Sequence, residues 1–289
     1  MEYLKAIVIT LGFAPMLAPA AWAALVEEVV RLPVQLVDRD GVSHQHTLTL
    51  TVFRDDARAR SPFMIVNHGR SGAVERRAGM GRVRYSANAG YFVERGFAVF
   101  VPTRIGYGVT GGPDLEQSRG PCHDRDFAPG FDIAAAQNLV VIQYAKSQPF
   151  VDATRGVLVG QSVGGATTVA LAAQNIAGVS AAINFAGGAG GNPAGRPNDP
   201  CSPRTLAQTY ADYGKSARTP MLWLYSENDL YWGKTHPRLW FERYKANGAP
   251  AEFVQLPAHG EDGHSSFTRN PAAWRPQVER FLKSFGYTH

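Results

Sequence analysis

The chain has 289 residues, 45% of them hydrophobic and 18% charged, with a formal net charge of +5. Its basic residues are scattered, with no Lys/Arg run or aromatic-interleaved basic stripe, which argues against a nucleic-acid partner. The two cysteines, Cys122 and Cys201, do not form a metal-type Cys-x-x-Cys pair, and in an exported chain such a pair often forms a disulfide.

Residues 1–23 read as a secretory signal. Lys5 supplies the positive start, Ala6 to Phe13 the apolar stretch, and Ala21-Trp22-Ala23 the small-x-small cleavage pattern. Pro15 and Pro19 interrupt the segment, and its apolar run is shorter than the ~20 residues of a clean spanning helix. An uncleaved anchor is the competing reading. The expectation is an exported protein, periplasmic or secreted, without stable membrane insertion after cleavage. Residues 24–289 then form one α/β domain.

Val26 to Val37 and His44 to Phe53 are rich in β-branched and apolar residues around the turn Asp38-Arg39-Asp40-Gly41, so they read as a hairpin. His44 and His46 share a strand face, but with no third ligand nearby they suggest an exposed face rather than a metal site. Pro62 to Asn67 is the next strand and runs into His68-Gly69-Arg70. Tyr85 to Arg95 is helical, Phe97 to Pro102 a buried strand, and Arg104 to Ala128 a connection long enough to imply function. Phe131 to Ser147 is helical. After Ser180 to Phe185 comes a Gly-rich loop to Pro203. Leu206 to Tyr213, Pro237 to Asn247 and Pro271 to Phe285 read as helices, Met221 to Tyr225 and Ala251 to Leu256 as strands. Alternation of strand and helix after the opening hairpin predicts a mostly parallel central sheet with helices on both faces.

The most informative stretch is Arg155 to Gly165. Val157 to Val159 is a buried-strand run, Gly160-Gln161-Ser162-Val163-Gly164 follows at once, and Ala166 to Ala173 is a helix of small residues. A Ser between two glycines at a strand-to-helix turn matches the nucleophile elbow. The bland alternative is a serine that merely caps the helix. Polar groups also follow other strands: His68, Asp229, and the segment His259 to His264. In a parallel sheet these ends share one edge. A serine hydroxyl needs a base, and the base needs a carboxylate to orient it. Asp229 is the candidate acid, with Glu227 as the alternative. His259 and His264 compete as the base.

Four motifs make the chain resemble the α/β-hydrolases of the dienelactone-hydrolase-like, prolyl-oligopeptidase-related branch. They are Asn67-His68-Gly69, Gly160 to Gly165, Tyr225 to Trp232, and Gly260 to Phe267. The resemblance implies the chain order Ser162, Asp229, His264 for a catalytic triad, and places the base on His264 rather than His259. By the same analogy the backbone N–H groups of Arg70 and Val163 form an oxyanion hole. Tyr107, Tyr231 and Trp232 are candidates for a substrate pocket, and Asp262 reads as a surface turn. The loop from Gly187 to Pro203 is too short for a large cap domain, and a Cys122–Cys201 disulfide would clamp two loops near the site. Archetypal dienelactone hydrolases carry a Cys nucleophile where Ser162 stands, which argues against dienelactone itself as the substrate. The absence of a propeller domain in the sequence argues against an oligopeptidase proper. The expectation is an exported serine hydrolase of small-molecule carboxylic esters or lactones that needs no metal or other cofactor. A peptidase or amidase with the same triad, and a non-catalytic binding protein on the same scaffold, are the alternatives.

Overall fold

In the computed structural model the described residues are 25–287. The expected signal segment, 1–23, lies outside them. The opening hairpin pairs β1 (Leu25–Val37) with β2 (Ser43–Asp55). Its turn is shaped by Asp38, whose carboxylate accepts from the N–H groups of Asp40 and Val42 at 3.0 and 2.9 Å. His44 pairs with Asp38 at 2.9 Å.

Strand and helix then alternate through β3 (Ser61–Asn67), the short α1 (Val74–Ala78), α2 (Ser86–Glu94), β4 (Ala98–Thr103), α3 (Ala128–Ser147), β5 (Val151–Gln161) and α4 (Val163–Ala172). The second half adds β6 (Val179–Phe185), α5 (Pro203–Ser216), β7 (Met221–Ser226), α6 (His236–Lys245), β8 (Ala251–Leu256), α7 (Ser266–Arg269) and α8 (Pro271–Lys283). A 3-10 turn, Gly263–Ser265, precedes α7. The helix expected from Phe131 begins earlier, at Ala128, because Pro129 occupies its first turn, where a missing N–H costs nothing. The short helix α1 and the turns around α7 hold too few residues to show a helical period, so the sequence pattern did not reveal them.

The eight strands form one sheet in the order β1-β2-β4-β3-β5-β6-β7-β8. β1 and β2, and β2 and β4, pair antiparallel; all other neighbours pair parallel. Alternate residues of each central strand serve opposite layers. Leu158 and Ile65 face the cluster formed with α3 to α6, while Val157, Val159, Met64 and Val66 face the cluster formed with α2 and α8. Burial on both faces explains why these strands read as continuous apolar runs.

The loops after the parallel strands gather at one edge, and two ties brace them. Cys122 and Cys201 form a disulfide that joins the long β4–α3 connection to the β6–α5 loop across 79 residues of sequence. The hairpin turn is pinned to the same long connection by Asp40 with Arg119 and by Arg39 with Asp126. Among the described residues no cap domain covers this edge, and no helix is long and apolar enough to cross a membrane. Replacing both cysteines by serine removes a long loop closure. The expected loss is about 2 to 5 kcal/mol of unfolding free energy, read as a lower urea midpoint under non-reducing conditions.

Candidate active site

Ser162 stands between the end of β5 and the start of α4 with φ 57° and ψ −126°, a conformation that L-residues hold only when their surroundings impose it. The surroundings here are backbone. Gly164 approaches the carbonyls of Asn67 and His68 too closely for any Cβ, and a Cβ on Gly69 would stand 3.1 Å from that of Ser162. Ser162 is anchored by its own main chain: its N–H donates to the Phe185 carbonyl at 2.9 Å, and its carbonyl accepts from Ala166 and Gly188. The side chain is left to face a cleft of about 980 Å³. The main-chain N–H groups of Val163 and Arg70 donate to no protein acceptor among the described residues. Both residues line the same cleft.

Asp229 follows β7 and is fully buried. Its Oδ1 accepts from the N–H groups of Tyr231 and Trp232 at 2.9 and 3.2 Å. His264 Nδ1 lies 3.1 and 3.0 Å from the two carboxylate oxygens. A carboxylate that already takes two backbone donors acts as an acceptor, so Nδ1 carries a proton, and in the neutral ring Nε2 then holds the lone pair. Tyr231 stacks on the imidazole at 3.9 Å between ring centroids, and Trp232 meets it edge-on at 5.3 Å. Of the two candidate bases, then, His264 is the one that meets Asp229. His259 is a loop residue whose N–H donates to Asn228. Glu227, the alternative acid, is exposed and pairs with Lys234 at 3.2 Å.

Asp262 is more than a surface turn. Its Oδ1 accepts from the N–H of His264 and from that of Leu230, each at 3.0 Å, so one carboxylate ties the loop of the base to the loop of the acid. Asn228 adds a second tie through His259, Gly260 and Gly263. Gln161 Nε2 donates to the His264 carbonyl at 3.3 Å, which links the base to the residue before the serine. Ser162 Oγ itself makes no hydrogen bond among the described residues. Nucleophile–base hydrogen bonds commonly tighten only as a reaction complex forms.

Tyr107 does not line the cleft. It is buried beneath Arg70, receives a hydrogen bond from that side chain at 3.0 Å, and donates to Glu116 at 2.7 Å. Burial pushes its phenol pKa up, and the Glu116 charge adds to the effect. Trp232 backs the cleft wall, with its indole N–H donating to the Ala186 carbonyl, and Tyr231 is half-buried on the wall beside it.

Beneath the His68–Arg70 turn lies a polar network that the motifs did not reveal. Arg104 and Glu116 are both fully inaccessible and form a two-point pair at 2.5 and 3.1 Å. Arg104 also donates to the His68 carbonyl at 2.9 Å. Arg70 and Arg77 share the carboxylate of Asp114 at 2.5 and 2.9 Å. Burial, the largest single effect, disfavours the Arg70 cation, but the bond to Asp114, the interactions with Tyr107 and the Glu116 charge together outweigh it and raise its pKa.

The layered sheet with its serine on a strained strand-to-helix turn defines an α/β-hydrolase. Solved structures share the fold. Acetyl xylan esterase from Paenibacillus sp. R4 aligns with 15% identity and TM-score 0.59 over 90% of this chain and 89% of that one. Est1E from Butyrivibrio proteoclasticus, in a structure with ferulic acid bound, aligns with 18% identity and TM-score 0.56 over 86% and 99%. Pyrococcus horikoshii acylaminoacyl peptidase aligns with 12% identity and TM-score 0.56 over 92% of this chain but only 42% of that one. No curated protein matches by sequence. The chain belongs to the dienelactone hydrolase family, whose model matches residues 81–287.

The buried pair yields a stability test. Glu116→Ala strands the Arg104 cation and is expected to cost about 3 to 5 kcal/mol in chemical denaturation, whereas Arg104→Met combined with Glu116→Leu recovers most of that loss.

Proposed function

We propose that the protein is an exported serine hydrolase that cleaves a soluble carboxylic ester or lactone through an acyl-Ser162 intermediate. The observation that carries the reading is the buried His264–Asp229 pair, packed against Tyr231 and Trp232, two residues of the cleft that Ser162 lines. Ser162 Oγ attacks the acyl carbon as its proton passes to His264 Nε2. Asp229 stabilises the resulting imidazolium. The tetrahedral oxygen takes hydrogen bonds from the N–H groups of Arg70 and Val163, and the first turn of α4 adds a favourable field. His264 then protonates the leaving alkoxide. Water, deprotonated by the same ring, attacks the acyl-serine, releases the acid and restores Ser162. No step needs a metal or other cofactor.

An open, mostly polar cleft suits a soluble ester better than a long acyl chain. Amide cleavage would use the same residues, so the substrate assay must separate the two. Wild-type protein is expected to hydrolyse p-nitrophenyl acetate but not aminoacyl anilides; the reverse preference would make it a peptidase. Ser162→Ala and His264→Ala are each expected to lower kcat by on the order of 10⁴ or more, and His259→Ala to leave it near wild type. A fluorophosphonate probe should label wild type and not Ser162→Ala. Equal labelling of folded samples of both would leave the non-catalytic scaffold as the better description.

The export reading rests on the signal-like segment 1–23 and on the disulfide, a bond that persists in oxidising compartments. Mass spectrometry of protein recovered from the exported fraction should find an N-terminus at Ala24. Full-length chain retained in the cytoplasm would refute it.

A further inference from the structure

His68 is the one histidine buried near Ser162 to which the catalytic scheme gives no task. It is 1% exposed, sits on the turn that carries Arg70, and is met edge-on by Tyr107 at 4.7 Å. Both ring nitrogens have partners whose roles are fixed. The Arg104 main-chain N–H, which can only donate, lies 3.1 Å from Nε2. The Gly69 carbonyl, which can only accept, lies 2.7 Å from Nδ1. Nε2 must therefore hold the lone pair and Nδ1 the proton.

We propose that His68 is the positioning residue of the oxyanion site: its Nδ1–H holds the Gly69–Arg70 peptide so that the Arg70 N–H faces the reacting acyl oxygen. This deepens the serine-hydrolase reading and rests on it. The geometry follows from the planar trans peptide, in which C=O and N–H point in opposite directions. There are no cis peptide bonds among the described residues, so a Gly69 carbonyl drawn toward His68 turns the Arg70 N–H away from it. That N–H has no protein acceptor among the described residues, and Gly69 abuts Ser162. Free rotation of this peptide would scatter the donor; the His68 bond removes that freedom before substrate arrives.

The environment keeps the ring in the required form. Burial first, and then the Arg104 charge, hold the His68 pKa well below the ordinary imidazole range, against the opposing bond to Gly69. A second ring proton would point at the Arg104 N–H, donor against donor. Arg104 thus serves twice, by filling Nε2 with its main chain and by gripping the His68 carbonyl with its guanidinium. Glu116 fixes that guanidinium in turn.

Two variants divide the ring's roles. His68→Asn keeps an N–H near the Nδ1 position and loses the acceptor for Arg104. His68→Gln keeps an acceptor near Nε2 and loses the donor to Gly69. His68→Gln is expected to lose about 10- to 100-fold in kcat with KM changed less than about threefold, while His68→Asn stays within about fivefold of wild type. Affinity for an alkyl boronic acid, which forms a tetrahedral adduct on Ser162, should fall in step with kcat. Equal losses in the two variants, or a change in KM with kcat intact, would overturn the proposal. Because either variant could fail to fold, nitrogen NMR of the wild-type ring supplies an independent check. The expected spectrum shows a protonated Nδ1 and a bare Nε2 that do not titrate between about pH 5 and pH 9, and the opposite tautomer or a titrating ring would refute it. Fluorophosphonate labelling separates the two levels: no labelling that depends on Ser162 overturns the underlying reading, whereas normal labelling with the wrong His68 behaviour overturns this proposal alone.

Discussion

The close approach of three backbones at the elbow constrains everything around it. β3, β5 and α4 meet where Gly160 and Gly164 leave no room for side chains and Gly69 leaves little, and in that contact Ser162 is held at positive φ. The strain is of order 1 to 3 kcal/mol and persists because the flanking strand and helix over-determine the turn. One steric fact thereby sets three features of the site. It lifts the serine hydroxyl out of the sheet, presents the Val163 N–H from the first turn of α4, and brings the β3 end within van der Waals distance so that a second N–H can converge from Arg70.

The Arg70 N–H, proposed as the second donor, needs its own support, since Arg70 lies on a loop rather than in a helix. That support is electrostatic and buried. An ion pair such as Arg104–Glu116, shut away from water, gains little net stability, because desolvation of both charges offsets most of their attraction. What it supplies is direction. The guanidinium meets Glu116 at two points and the His68 carbonyl at a third, so its position is fixed by geometry. Tyr107, Arg70 and Asp114 extend the same rigidity outward to the cleft wall. A loop held by so many polar anchors behaves like an element of regular structure, which is what the oxyanion role proposed for the Arg70 N–H requires.

Local pattern made the turn at Ser162, the strands and the strand-end positions of Asp229 and His264 legible, because glycine spacing, apolar runs and strand-end polar residues are all short-range signals. The supporting groups were not legible for the converse reason. Arg104 and Glu116 are twelve residues apart in an irregular connection, and no period or motif marks two loop charges as mutually buried. Tyr107 was read as pocket lining because it follows a strand, yet the loop folds it under Arg70, where its hydroxyl has two charged partners. Asp262 looked like a turn residue among Gly260 and Gly263; its role depends on Leu230, 32 residues away. A signal was present in hindsight: an acid two residues before His264 can cap the turn that carries the histidine, as Asp262 does.

His264 and Asp229 come from loops after different strands, so their registration cannot be inherited from the sheet alone. β7 and β8 are neighbours and fix the loop origins, but the His264 loop continues for seven residues past Leu256 before the ring appears. Left to itself, such a segment would sample many placements of the imidazole. The single Oδ1 of Asp262 resolves this by bonding the N–H next to the acid and the N–H of the base at once. Asn228 repeats the device by accepting from the His259 N–H and donating to the Gly260 carbonyl. Pre-organisation at this edge is thus achieved by two small polar side chains acting on main-chain groups, and the histidine's own contacts, with Asp229 below and Tyr231 across its face, need only select its rotamer.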